Sequence, residues 1–232
     1  MITKIKFLIR KIQELLERNI LGGFIQELTW KWKHFYDKKW TETSLKSINL
    51  EHRKNLTSVI TSLHNIDSVM EVGCASAPNL QLIREKLPNA KLVGIDINKQ
   101  AIKTARNHFL LQNDNNAEFF IKSADKLDDF PDKSFDVVFS QAVLVFIPPS
   151  NIRKAIHDML RISKKYIILN EYHLDGEANG LFNGGRWIYD FISIIKEYSP
   201  DAEITLQPSG FKGGIWDDYG NLVIAKLKKS IN

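Results

Sequence analysis

The stretch that decides the fold is "VMEVGCASAPNLQLI", residues 69–83. A short apolar run passes through an acid, Glu71, and reaches a single glycine, Gly73, before a series of small residues. Pro78 then suits the first turn of a helix, because its ring already fixes a helical φ. This pattern is typical of a buried strand that turns sharply into a helix, with a small ligand bound over the turn.

The same alternation continues along the chain. Strands are predicted at "DSVMEV", "KLVGIDI", "AEFFIKS", "SFDVVFSQAV", "KKYIILNEY", "AEITLQP" and "GNLVIAKLK". Helices are predicted at residues 44–65, "NLQLIREKL", "KQAIKTARNHFLLQ", "SNIRKAIHDMLRIS" (opened by Ser150) and "GRWIYDFISIIKEYS". Strands that alternate with helices indicate βαβ units, so the fold class is α/β with a mostly parallel, doubly wound sheet of seven strands and helices on both faces. Residues 1–65 are predicted to form a helical extension or lid, and residues 66–232 the domain that holds the sheet.

The composition is that of an ordinary globular protein, with 44% hydrophobic and 25% charged residues. A single cysteine, Cys74, excludes an internal disulfide and fits a reducing compartment. No apolar run approaches the roughly 20 residues that cross a bilayer, and the first residues lack the pattern of a secretory signal. We therefore expect a cytoplasmic location.

The net charge of +5 is confined to one end of the chain. Residues 1–40 hold nine Lys/Arg against four Asp/Glu, and the remaining residues hold 23 of each sign. A nucleic-acid enzyme more often carries a basic surface around its site, so no nucleic-acid partner is expected. Residues 2–21 predict a helix with an apolar stripe between basic residues. Such a helix fits packing on the domain, a lid over the site, or peripheral contact with a membrane surface.

Two acids indicate what the turn binds. Asp96 closes "LVGID", 23 residues after Gly73, where an acid commonly accepts hydrogen bonds from ribose hydroxyls. Both NAD and S-adenosylmethionine carry that ribose. A dinucleotide also needs G-x-G-x-x-G for its pyrophosphate, but Ala75 replaces the second glycine and Pro78 lacks an amide donor. Glu71 is unfavourable beside phosphate and suits a cation, such as the amino group of a methionine moiety.

From residue 69 to about residue 172 the chain resembles class I S-adenosylmethionine-dependent methyltransferases, particularly those that act on small molecules. "EVGCASAPN" is similar to the glycine-rich loop of that family, and "LVGIDIN" to its second-strand motif with the ribose-binding acid. "IKSADKL" resembles the third-strand motif that reads adenine, and "FPDKSFDVVFSQAVLVFIP" the fourth-strand motif that faces cofactor and substrate. Four motifs in the right order, each at a predicted strand end, carry the resemblance.

The resemblance implies a Rossmann-like fold with S-adenosylmethionine as its cofactor. The cofactor-binding residues that it implies are Glu71, Gly73, Cys74, Ala75, Asn79, Asp96, Ile97, Ala124, Asp125, Ser140 and Gln141. Gly73 gives the cofactor close access to the main chain. The chain departs from the family at Ala75 and Ala77, where glycine is common. Either the loop tolerates a methyl group, or the cofactor sits differently, or binding is lost; we expect the first, because the other motifs are intact.

The segment "NEYHLDG", residues 170–176, supplies the candidates for a general base, His173 and Glu171. Methyl transfer from a sulfonium needs a base only when the acceptor must lose a proton. The alternative is that these are ordinary turn residues. No metal site is predicted, because the acids and histidine here lack a matched cluster of further ligands.

The function expected from these features is methyl transfer from S-adenosylmethionine to oxygen or nitrogen of a small molecule or glycan precursor. A binding module that holds the cofactor without catalysis is one alternative, supported by the two alanines in the loop. A NAD-dependent oxidoreductase is another, and the missing glycines disfavour it.

Overall fold

The computed structural model describes residues 44–183 and 185–228. The predicted helix at residues 2–21, with its lid and membrane readings, therefore lies outside the described residues. A single large sheet is built from seven strands, which are β1 (Ser68–Val72), β2 (Lys91–Asp96), β3 (Ala117–Ile121), β4 (Phe135–Gln141), β5 (Ser163–Tyr172), β8 (Glu203–Pro208) and β9 (Gly220–Lys226). Their order across the sheet is β3-β2-β1-β4-β5-β9-β8. Strands β1 to β5 run parallel and β9 is antiparallel to both its neighbours, which confirms the predicted fold class.

Helices follow most of the strands, as predicted. They are α1 (Glu51–Ser62), α2 (Pro78–Lys86), α3 (Lys99–Leu111), α4 (Pro149–Ile162), α5 (Phe191–Tyr198) and α6 (Ile215–Tyr219), with 3-10 turns at Ser47–Asn49 and Leu144–Phe146. Helix α2 begins at Pro78, whereas α4 begins at Pro149 and not at Ser150. Pro148 is extended, and the fixed φ of Pro149 suits the first helical position.

Two sequence predictions of helix need correction. "GRWIYDFISIIKEYS" is helical only in its second half, because a small hairpin of β6 (Leu181–Asn183) and β7 (Arg186–Ile188) takes the first half. Helix α5 starts after Asp190, whose side chain accepts a hydrogen bond from the Ser193 amide. The predicted helix at residues 44–65 is broken at Leu50, which is extended between the first 3-10 turn and α1.

The core lies on both faces of the sheet. β1 and β4 are buried along their whole length, as expected for central parallel strands. Helix α1 lies N-terminal to the predicted domain boundary, yet it places Leu56 and Ile60 in the same apolar cluster as Val69 of β1.

A third, smaller apolar group lies beyond the carboxyl ends of β4 and β5, and we call it the end cluster. Its members are Val145, Tyr172 and Ile188, with Phe146, Leu174, Leu181, Ile215, Trp216 and Tyr219 packed against them. The sheet thus presents turns and side chains of several strands at one edge, with the end cluster beside them. Within the described ranges, none of the helices has the length and hydropathy that spanning a bilayer would require.

Candidate active site

The carboxyl ends of the central strands bring polar side chains together at one edge of the sheet. Glu71 comes from β1, Asp96 from β2, Gln141 from β4 and Glu171 from β5. Ligands of open α/β sheets bind at this edge, near the point where the strand order reverses between β1 and β4. The predicted residues therefore share one region, although they differ in what they contact.

Glu71 is a fully buried acid with one unused oxygen. Its Oε1 accepts a 2.6 Å hydrogen bond from Asn79 Nδ2, while Oε2 has no hydrogen-bond partner among the described residues. Burial raises the pKa of Glu71 to about 8, against the opposing effects of the Asn79 hydrogen bond and the positive charge of Arg53. A buried acceptor without a partner is costly, so this oxygen fits a site for an ammonium group.

Arg53 contacts two residues of the candidate site, and the sequence reasoning missed it. Its Nη1 donates to Asn79 Oδ1 at 2.9 Å and to Gln141 Oε1 at 3.3 Å. The adjacent Lys54 is exposed. A positive charge alone therefore does not indicate which of the two residues faces the site. The available signal was helical spacing, because Arg53 lies three and seven residues before the buried Leu56 and Ile60 of α1.

The turn after β1 has an unusual backbone. Gly73 has a φ of +76°, and a Cβ there would lie 2.2 Å from a methyl carbon of Val143. The glycine is thus required by packing against the loop after β4, in addition to its predicted role in cofactor access. Ala75 and Ala77 have φ values of 49° and 63°, the left-handed region that favours glycine. The methyl groups that replace glycine here are accommodated with backbone strain.

Asp96 joins the first two turns. Its Oδ2 accepts from the Ala75 amide at 2.9 Å and its Oδ1 from the Asn98 amide at 2.8 Å. Burial raises its pKa, and these backbone hydrogen bonds counteract that effect. The carboxylate keeps lone pairs for further hydroxyl donors. Ile97 follows it directly in the chain.

Cys74 fills space under the turn. A Cβ on Gly94 of β2 would lie 2.7 Å from Cys74 Sγ, so the thiol occupies the room that this glycine leaves. Burial raises the pKa of the Cys74 thiol well above its ordinary value. The contact to a cofactor that the resemblance implies for Cys74 stays a prediction.

The predicted adenine-reading pair follows β3. Ala124 is buried in the main core. Asp125 accepts hydrogen bonds from Ser123 Oγ and from Asn151 Nδ2 at the start of α4. These contacts order the loop between β3 and β4, and the role of the pair in adenine binding stays a prediction.

Glu171 holds the loop after β4 in place. Its carboxylate accepts from Ser140 Oγ at 2.8 Å and from the backbone amides of Val143, Leu144 and Val145 at 3.0 to 3.4 Å. Burial raises its pKa to about 7, and the same hydrogen bonds oppose that rise. These contacts give Ser140 and Glu171 a structural task, and their predicted roles in binding and catalysis stay predictions.

His173, the other candidate base, is bound on both ring nitrogens. Its Nδ1 accepts from the Phe191 amide at 3.2 Å, and its Nε2 lies 3.1 Å from Asp175 Oδ1. Because Nδ1 accepts from a backbone amide, the neutral ring carries its hydrogen on Nε2, which faces Asp175. Its assignment as a base is untested and stays a prediction.

His173 belongs to a three-residue group that could hold a metal, together with Asp175 and Asp190. Asp190 already accepts hydrogen bonds from the Gly176 amide and from the amide and hydroxyl of Ser193. Asp190 was not identified from the sequence as a neighbour of His173, because it lies outside residues 170–176. The hydrogen bonds of His173 and Asp190 connect the end of β5 to the start of α5.

Comparison with known proteins gives the family of this domain. Residues 69–166 match the model of a methyltransferase domain family. Among solved structures, the plantazolicin methyltransferase BpumL is 15% identical with a TM-score of 0.62, covering 94% of this chain and 99% of that one. The magnesium protoporphyrin IX methyltransferase of Synechocystis PCC 6803 is 13% identical with a TM-score of 0.58, covering 93% and 97%. The cyclase SpnF is 16% identical with a TM-score of 0.59, covering 75% and 80%. These structural likenesses concern the fold.

The fold, the turn after β1 and the family match together define a class I S-adenosylmethionine-dependent methyltransferase domain. Residues 69–166 thus lie in a methyltransferase domain, for which S-adenosylmethionine is the methyl donor.

Proposed function

We propose that this chain transfers the methyl group of S-adenosylmethionine to a small-molecule acceptor, and that Glu71, Arg53 and Asp96 hold the cofactor. One observation carries the proposal: among the described residues, the buried Glu71 Oε2 has no hydrogen-bond partner, and the half-buried guanidinium of Arg53 lies at the same strand end. An amino-acid end has an ammonium and a carboxylate. The acid and the arginine match these two charges with opposite sign.

Asp96 completes the proposed cradle at the ribose. Its carboxylate is oriented by two backbone amides, so its position is set before any ligand binds. The order along the edge, with the acid of β1 beside that of β2, lets one elongated ligand contact both turns. The predicted contacts of Gly73 and Ala75 belong to this cradle.

The chemistry that the bound cofactor supplies is an electrophilic methyl group on a positively charged sulfur. The residues of this chain would align the acceptor with that methyl group and exclude water. Gln141 links β4 to α1, because its side chain accepts from Arg53 and donates to the His52 carbonyl at 3.3 Å. Through these contacts, Gln141 and Arg53 would close the site on the side of α1.

The acceptor class follows from the surroundings. The end cluster beside the strand ends is aromatic and aliphatic, which favours an apolar small molecule over a glycan precursor. Two of the similar structures are named for methyltransferases that act on plantazolicin and on magnesium protoporphyrin IX, and SpnF is named as a cyclase. Since the fold also occurs in a cyclase, methyl transfer must be measured directly.

The test is calorimetric binding followed by transfer of labelled methyl groups. Asp96→Ala leaves ligand hydroxyls without a charged acceptor, worth about 1.5–3 kcal/mol, so S-adenosylmethionine should bind tenfold or more weakly. Arg153→Gln is the matched control, because its guanidinium is already paired with Glu197 at 3.0 Å on the surface. Unchanged affinity in Asp96→Ala contradicts the assignment of Asp96.

The labelled-methyl assay uses a panel of apolar acids, amines, phenols and nucleotide-sugars. Cofactor binding without transfer to any of them favours the binding module. Tight binding of NAD in place of S-adenosylmethionine favours the oxidoreductase.

A further inference from the structure

A stack of aromatic rings runs from Trp216 of the end cluster toward the proposed cofactor site. His52 stacks on Phe211 with ring centroids 3.7 Å apart, and Phe211 stacks on Trp216 at 3.9 Å. Trp216 meets Tyr172 edge-on at 4.3 Å. Burial lowers the pKa of His52 to about 4, and the positive charge of Arg53 lowers it further. The aromatic stack is therefore uncharged at neutral pH. Phe211 and Trp216 are half-buried, so a planar or apolar molecule could pack against the exposed side of the stack.

Arg186 places a positive charge at the rim of this apolar group. Side chains alternate along β7, so Trp187 packs into the main core while Ile188 joins the end cluster. Arg186 shares the face of Ile188, and its guanidinium lies 5.5 Å from the centre of the Phe146 ring. The same charge acts to lower the pKa of Tyr172, although burial has the larger effect and raises it.

The polar groups around Arg186 leave it available for an anion. Within residues 44–183 and 185–228, none of the ion pairs involves Arg186. The buried Tyr172 hydroxyl lies beside the Arg186 guanidinium and acts on it only weakly, because no hydrogen bond of good geometry joins it to a described residue. Glu171, the nearest buried acid in the chain, is bound by Ser140 and the amides after β4, and Asp217 on α6 accepts from the Gly213 amide.

We propose that the methyl acceptor is an apolar or aromatic carboxylic acid, whose carboxylate binds Arg186 and Tyr172 while its body packs against Trp216 and the edge of Phe211. The inference rests on the proposed function, because it names the substrate class of that same site. A guanidinium and a phenol hydroxyl both donate to a carboxylate, and the guanidinium presents two parallel N–H groups to its two oxygens. A neutral acceptor offers these donors an uncharged oxygen and forms weaker hydrogen bonds, and a cationic group is repelled by the guanidinium.

The test compares acids with their own amides, which keep the shape and remove the charge. Octanoate and octanamide form one pair, and 4-hydroxyphenylacetate and 4-hydroxyphenylacetamide the other. Each is titrated calorimetrically into the full chain, with and without saturating S-adenosylhomocysteine. We expect the acid of at least one pair to bind about tenfold or more tightly than its amide to the wild-type protein. In Arg186→Gln this preference should fall to within about twofold.

Two further variants separate charge recognition from loss of structure. Arg153→Gln, which removes a paired surface arginine, should keep the preference for acids. Trp216→Leu should weaken binding of an acid and its amide by the same factor, because it removes an aromatic contact with the ligand body and keeps the positive charge of Arg186. Thermal melts confirm that each variant is folded.

The outcomes are distinct. Equal binding of acid and amide in both pairs, no detectable binding of either acid, or a preference that survives in Arg186→Gln overturns the inference. Failure of the wild-type protein to bind S-adenosylhomocysteine overturns the proposed function instead. That result is read from a separate titration and does not depend on the acids.

Discussion

In the proposed site, buried Glu71 would link the release of a proton to the binding of the ligand's ammonium group. With a pKa raised to about 8 by burial, its carboxyl is mainly protonated at pH 7 in the ligand-free protein. The sequence predicted an acid that binds a cation here. The sequence does not indicate the protonation state of Glu71, because this state depends on how Asn79 and Arg53 pack around the carboxyl.

A pH dependence follows from this state of Glu71. An ammonium group needs the ionised carboxylate, so binding must release the proton below about pH 8 and costs nothing extra above it. We expect the affinity for S-adenosylmethionine, taken as the ratio of wild type to Glu71→Gln, to rise from pH 6 to about pH 8 and then level off. Titrations in two buffers of different ionisation enthalpy should show proton release at pH 7 in the wild type alone. A flat ratio contradicts this role for Glu71.

The two alanines in the turn are a second case at the scale of residues. The sequence identified Ala75 and Ala77 as departures from glycine, and the structure shows that both keep the left-handed backbone. For a residue with a Cβ that conformation costs roughly 1–2 kcal/mol. The loop therefore keeps its shape at a cost in stability, an outcome that composition alone does not reveal.

Replacing these alanines tests that strain. Ala75→Gly should raise the free energy of unfolding by about 0.5–1 kcal/mol, because relief of strain exceeds the entropy that glycine adds to the unfolded chain. Ala77→Gly should gain less, since the buried methyl of Ala77 packs in the core. Ala105→Gly in α3 is the control and should lower stability by about 1 kcal/mol. Urea titrations measure all three, and a loss of stability in Ala75→Gly contradicts the strain.

At the scale of elements, the sequence predicted the sheet well and the region after β5 poorly. Strands β1 to β5 are recognisable because each is an apolar run beside a turn or helix signal. The segment from Arg186 to Ile188 has apolar residues that suit a helix equally well. Pairing with β6 decides its conformation, and a local pattern cannot report that contact. Asp190 could have indicated the correct helix start, because Asp is a preferred residue directly before the first turn of a helix.

The loop between β4 and α4 illustrates the same limit. Its 3-10 turn at Leu144–Phe146 is held by a carboxylate from another strand, Glu171, through three backbone amides. From the sequence this acid was a candidate base, because a strand-end acid is compatible with either role. Only the fold brings the free amides of one turn to the end of the neighbouring strand. Arg186 was not singled out for a similar reason, since its position depends on β7.

At the scale of the whole molecule, helix α1 joins the region before the sheet to the candidate cofactor site. One face packs Leu56 and Ile60 against the sheet, and Arg53 on the same side reaches Asn79 and Gln141. The predicted boundary after residue 65 separates this helix from the domain that it covers. That boundary stays a prediction, but the contacts show that α1 shares the core of the sheet.

This sharing can be tested by removing buried carbon atoms from α1. Leu56→Ala creates a cavity in the cluster that includes Val69, and it should lower the free energy of unfolding by about 2–5 kcal/mol. Val59→Ala is the matched control, because Val59 is only partly buried at the edge of that cluster and should cost about 1 kcal/mol or less. Urea unfolding followed by circular dichroism measures both. Because Arg53 and not Leu56 contacts the polar site, folded Leu56→Ala should bind S-adenosylmethionine within about threefold of the wild type. If Leu56→Ala instead unfolds like the wild type, helix α1 does not share the cooperative core, and Arg53 loses the fixed position on which its proposed role depends.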